Sequence, residues 1–97
     1  MKRDSVLKRL QGLKSRLSEV GVTRLGLFGS TVRGENTSRS DIDILLDFNV
    51  GQETYMNFLS ACNILEDSFK KNKVDVVTRN GLSPYIGQTI MKEVVYV

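Results

Sequence analysis

Thr23-Arg24-Leu25-Gly26-Leu27-Phe28-Gly29-Ser30 and, after ten intervening residues, Asp41-Ile42-Asp43-Ile44-Leu45-Leu46-Asp47 decide how this chain is read. In the first stretch, Thr23 to Phe28 has strand character, with Leu25 and Leu27 on one face, and it stops at Gly29. The second stretch predicts a strand from Asp41 to Phe48. Alternation puts Ile42, Ile44 and Leu46 on one face and Asp41 and Asp43 on the other. Two residues along a strand span about 6.6 Å, so these carboxylates project in parallel at a separation suited to divalent ions about 3.5–4 Å apart. Asp47 has the same parity but lies roughly 13 Å beyond Asp43, too far to join them.

Outward from this centre, Val6, Leu7, Leu10, Leu13, Leu17 and Val20 recur at three- and four-residue spacings and predict an amphipathic first helix. Asp4 or Ser5 can cap it and Gly21 can stop it. Gly12 falls inside it at a cost in helix propensity. Thr31 to Glu35 reads as one helical turn and Asn36 to Ser40 as a polar loop. A second helix is expected from Gly51-Gln52, burying Tyr55, Met56, Leu59, Cys62, Leu65 and Phe69. Lys73 to Thr78 reads as a third strand. Asn80-Gly81 turns the chain, and Pro84 suits the first turn of a last helix that leaves Val94 to Val97 frayed or weakly extended. The expected architecture is one α/β domain over residues 1–97, with a three-stranded mixed sheet flanked by about four helices.

Composition removes whole classes of chemistry. The chain of 97 residues is 40% apolar and 26% charged, the balance of a folded soluble protein. It contains no histidine, which excludes Ser-His-Asp and Cys-His nucleophile schemes and imidazole acid–base work. Cys62 is the only cysteine, so no internal disulfide forms. No run is long and apolar enough for a membrane span and no signal peptide is legible, so a cytoplasmic protein is expected. The net charge is +3. Lys2, Arg3, Lys8, Arg9, Lys14 and Arg16, with Lys70, Lys71 and Lys73, carry much of it, and no aromatic residues interleave with them. They read as solvated faces rather than a nucleic-acid surface.

Several residues carry two readings. Gly29-Ser30 can cradle phosphate oxygens, since glycine admits close backbone approach and serine adds a hydroxyl, or it can be an ordinary turn with Ser30 as helix cap. Asp41 and Asp43 can hold a cation or merely face solvent at a strand end. Asp75, alone among Val74, Val76 and Val77, requires either a cationic partner or a metal, and can also accept the proton of an attacking hydroxyl. Arg33 can grip phosphate with its planar fork or pack against Glu35 or Asp41.

Taken together, Phe28-Gly29-Ser30, Arg33-Gly34-Glu35, Ser40-Asp41-Ile42-Asp43-Ile44-Leu45-Leu46 and the later Val74-Asp75-Val76 resemble the minimal nucleotidyltransferase (MNT) group of the DNA-polymerase-β-like nucleotidyltransferase superfamily. The resemblance implies the small nucleotidyltransferase (polymerase-β-like) fold. It implies that Gly29 and Ser30 bind the β- and γ-phosphates of ATP and that Asp41, Asp43 and Asp75 hold two Mg²⁺ ions. An acceptor hydroxyl then attacks the α-phosphorus and releases pyrophosphate. Such a short chain leaves little room for an acceptor-binding domain, so a separate protein acceptor is expected. Stand-alone MNT proteins of this size resemble the antitoxins of HEPN/MNT toxin–antitoxin pairs. There the MNT protein transfers AMP to a tyrosine of a HEPN ribonuclease toxin. The other readings are a non-catalytic module that silences its partner by occlusion, and transfer to a small molecule or RNA.

Overall fold

The computed structural model describes residues 1–97. Helix α1 (Arg3–Glu19) leads into strand β1 (Val22–Phe28), the short helix α2 (Ser30–Arg33) and strand β2 (Ile42–Phe48). Helix α3 (Tyr55–Ser68), strand β3 (Val74–Thr78), a 3₁₀ turn (Arg79–Gly81), helix α4 (Pro84–Glu93) and strand β4 (Val95–Tyr96) follow. The sheet order is β3-β2-β1-β4. β1 runs antiparallel to β2 and β4, whereas β2 and β3 are parallel. The mixed sheet is as expected, but it has four strands rather than three.

Strand parity fixes the layers. Leu25 and Leu27 of β1 and Ile42, Ile44 and Leu46 of β2 face a core closed by Val6, Leu10, Leu13 and Leu17 of α1 and by Ala61 and Leu65 of α3. Each such leucine or isoleucine, fully withdrawn from water, contributes about 1.5–3 kcal/mol. On the opposite face Phe28, Leu45 and Ile90 form a smaller cluster with Val77, Leu82, Val94 and Tyr96, so α4 covers that side. β2 is therefore packed on both faces, continuously through Ile42, Ile44 and Leu46 on one side and through Leu45 alone, between Asp43 and Asp47, on the other.

The fourth strand comes from the segment expected to fray. Tyr96 pairs with Gly26 and Val95 with Leu27, and the Val97 amide donates to the Leu25 carbonyl at 3.1 Å. Gly26 admits this approach, because a side chain there would press on Val94 and Tyr96. The Arg24 guanidinium lies 3.8 Å from the Tyr96 ring centre and fastens the strand further.

Two helices depart from expectation. α1 begins at Arg3 with Lys2 as its cap, so neither Asp4 nor Ser5 caps it; Asp4 sits in the first turn, where its charge opposes the positive helix end. α3 starts at Tyr55 rather than Gly51-Gln52. Gly51 has φ of 77°, which is not helical, and the Thr54 side chain accepts the Asn57 amide as the true cap. Its buried face is also rotated. Ala61, Leu65 and the following Phe69 are buried, Phe58 and Ile64 partly so, while Tyr55, Met56 and Leu59 are exposed and Cys62 is half-buried. The helix carries two apolar stripes one residue out of phase, and periodicity alone does not choose between them.

Gly12 lies on the exposed side of α1, and a Cβ there would meet nothing within 4 Å. Gly12→Ala is therefore expected to stabilise the protein by about 0.5–1 kcal/mol, through a lower backbone entropy loss. Urea unfolding measures it, and an unchanged or lower midpoint would contradict the packing described.

Candidate active site

The acidic residues gather at the end of the sheet where β2 and β3 begin. Parallel pairing sets Ile42 beside Val74 and Asp43 beside Asp75, so these two aspartates are lateral neighbours on the same face, with strands about 4.8 Å apart. The register is anchored just upstream. The Ile42 amide donates to the Lys73 carbonyl at 2.9 Å, and the Asn72 side chain donates to the Ser40 carbonyl at 3.0 Å. Asp41 immediately precedes β2. Asp41 and Asp43 are half-buried and Asp75 is exposed.

β1 delivers the glycine-serine turn to the same place. Phe28 pairs with Asp43, so the chain leaves β1 at Gly29 directly against the Asp43 carboxylate. Gly29 has φ of 78°, and any side chain there would collide with that carboxylate. This position therefore requires glycine on both conformational and steric grounds. Gly29, not Ser30, is the cap residue of α2. No side-chain cap bond forms there, so the reading of Ser30 as an N-cap does not hold.

Arg33 leaves the end of α2 and pairs with Glu35 at 2.7 Å and with Glu93 at 2.9 Å, rather than with Asp41. The hydrogen bonds it donates to Glu35 and Glu93 hold its pKa above the usual value. The same Glu93 side chain, from the last residue of α4, accepts the Gly29 amide at 2.9 Å through its other oxygen. Glu93 was not legible as a site residue. It stands 63 positions after Ser30 in no motif, and its only oddity is a carboxylate at a helix C-terminus, where negative charge is unfavourable. Asp47 is set apart as expected, paired with Arg79 at 3.7 Å.

The electrostatics of the cluster are those of unneutralised acids. Burial first, then the charges of Asp75 and Asp41, pushes the Asp43 carboxyl up to about 6, against a partial offset from Arg33. No lysine or arginine pairs with Asp75, so the cationic-partner explanation for it fails. The three carboxylates do not close into a preformed ligand cage. That openness fits Mg²⁺, which keeps much of its water and binds through one or two carboxylates together with substrate phosphates. The all-oxygen donors and the side-chain-free face of Gly29 suit that ion and a phosphate chain beside it. None of the surface clefts is lined by Asp41, Asp43 or Asp75; the site is an open sheet end.

A mixed sheet with stacked acids beside a glycine-serine turn is a scaffold for nucleotidyl transfer. The family model described as a nucleotidyltransferase domain matches residues 8–97, and the chain belongs to that family. It is 40% identical over 77 residues to the protein adenylyltransferase MntA of Thermococcus cleftensis, covering 79% of this chain and 76% of that one. A Methanocaldococcus jannaschii relative, MJ1379, also bears a protein adenylyltransferase name. It is 34% identical over 79 residues, covering 78% of this chain and 77% of its own. A solved structure described as a minimal nucleotidyltransferase superposes with a TM-score of 0.83 at 28% identity, covering 98% of this chain and 95% of that chain. A Sulfolobus solfataricus structure at 19% identity, with a TM-score of 0.59, shares the fold over 97% of this chain and 80% of its own.

The raised Asp43 pKa has a consequence for stability. The metal-free fold gains from protonated Asp43 below the unfolded value near 3.8, and this gain is lost as pH rises through about 6. Asp43→Asn is expected to stabilise the metal-free protein by about 1–2 kcal/mol at pH 7.5, allowing for partial solvent screening, and by almost nothing near pH 4. Urea unfolding in chelator at both pH values measures it. Equal destabilisation at both would show that Asp43 is not held at a charge penalty.

Proposed function

We propose that the protein is an antitoxin that transfers AMP from ATP to a tyrosine hydroxyl of a partner HEPN ribonuclease toxin in the cytoplasm. The observation that carries the transfer chemistry is the lateral pairing of Asp43 with Asp75, with Asp43 set against the side-chain-free face of Gly29. Membership of the nucleotidyltransferase family and the protein adenylyltransferase names of the relatives support it. The open sheet end supports a macromolecular acceptor. No wall of this chain encloses a small acceptor molecule, so a docked protein surface must supply one and exclude water. The identity of that surface rests on the resemblance to HEPN/MNT pairs.

In this reading Asp41, Asp43 and Asp75 hold Mg²⁺, two ions in the complete site, whose chemistry is to neutralise the phosphates and stabilise the attacking and leaving oxygens. Gly29, Ser30 and Arg33 bind and orient the β- and γ-phosphates. The tyrosine oxygen forms a bond to the α-phosphorus as the bond to the β-phosphate bridging oxygen breaks. Pyrophosphate leaves with that electron pair. Asp75, exposed on the edge strand, takes the tyrosine proton or passes it to water. Positioning and charge neutralisation carry such a transfer, so the absence of histidine is no obstacle.

Incubating the HEPN partner with this protein, ATP and Mg²⁺, followed by intact-mass measurement, tests the proposal. The partner is expected to gain the mass of AMP on tyrosine, with the rate reduced about a hundredfold or more by Asp41→Asn or Asp43→Asn. A partner that gains no mass, yet is silenced equally by the wild type and both variants, would establish the occlusion reading instead.

A further inference from the structure

Glu93 bridges two donors that belong to opposite sides of one turn. One carboxylate oxygen accepts the buried Gly29 amide and the other accepts Arg33 Nη1, both at 2.9 Å. Two oxygens on one centre, meeting a backbone N–H and a guanidinium, is the pattern a phosphate makes with the same donors. The placement is otherwise unfavourable. Glu93 is the last residue of α4, where the helix dipole repels an anion, and it approaches the same glycine that Asp43 crowds. A fourth carboxylate beside three others does not serve the stability of the helix that carries it.

We propose that Glu93 is an internal stand-in for a phosphate group, holding the Gly29 amide and the Arg33 guanidinium in the nucleotide-free protein and releasing both when a triphosphate binds. This rests on the reading of Gly29 and Arg33 as phosphate donors. The device is reversible by construction. Arg33 keeps its 2.7 Å bond to Glu35 when Glu93 departs, so the guanidinium stays oriented. Glu93 can leave by rotating its side chain or by fraying the last turn of α4, whose neighbour Val94 is already extended. Nucleotide affinity is thereby lowered by the fraction of molecules in which Glu93 occupies the donors. Release also links the phosphate turn to β4, which begins two residues after Glu93.

Calorimetric titration of Mg²⁺ with α,β-methylene-ATP, a non-transferable analogue, tests this on the full chain. Glu93→Ala is expected to bind about five- to tenfold more tightly than wild type. Glu93→Gln, which preserves size and packing if the alanine variant folds poorly, is expected to fall between them. Glu35→Gln removes an equal charge from the exposed side of Arg33 and is expected to have a smaller effect. Arg33→Ala is expected to weaken binding. Unchanged or weaker binding by both Glu93 variants, with Arg33→Ala still weakened, would make Glu93 a brace and overturn the stand-in role alone. Equal tightening by Glu35→Gln would reduce the effect to general charge and likewise overturn it. Wild-type affinity in Arg33→Ala would remove the phosphate-donor reading, and this proposal with it.

Discussion

Parallel pairing of β2 with β3 is the constraint on which the site depends. It fixes Asp43 and Asp75 side by side on one face. A slip of one residue would turn Asp75 into the apolar core and expose Val74 or Val76 in its place. The register is held by the apolar faces of both strands and by the Asn72 bond to the Ser40 carbonyl just ahead of β2. Stability and chemistry thus share one set of interactions, with the hydrophobic core supplying the energy that holds the acids together.

The same arrangement explains why the site is open. Three carboxylates at a sheet end repel, and burial of Asp43 sharpens the repulsion. Pairing them with lysines would remove the strain and the chemistry together. The protein instead places its nearest cation, Arg33, across Gly29 and ties it to Glu35 and Glu93. The donors at the place assigned to phosphates are thus covered by Glu93, while negative charge gathers at the place assigned to a metal. Both depend on Gly29, which separates the two with no side chain of its own.

Much of this was legible in sequence because it rests on short-range rules. Alternation set Asp41 and Asp43 apart from Ile42 and Ile44, and distance along the strand excluded Asp47, which the structure pairs with Arg79. What escaped was nonlocal. The last residues looked free to fray because their pairing partner, Gly26, lies some seventy residues earlier and betrays itself only as a glycine inside a strand. The buried face of α3 was placed correctly at Leu65 and Phe69 but misread before them, because Phe58 and Ala61 compete with Tyr55, Leu59 and Cys62 at the same period. Glu93 was invisible because its partners, Gly29 and Arg33, meet it only in the folded chain.

Paramagnetic broadening by Mn²⁺ in the presence of α,β-methylene-ATP, read residue by residue in amide NMR spectra, tests the central claim most directly. Broadening is expected to centre on Asp41, Asp43, Asp75 and the Gly29-Ser30 turn, and to reverse with excess Mg²⁺. Broadening centred elsewhere, or none at these residues while the nucleotide binds, would contradict a metal-assisted site at this sheet end.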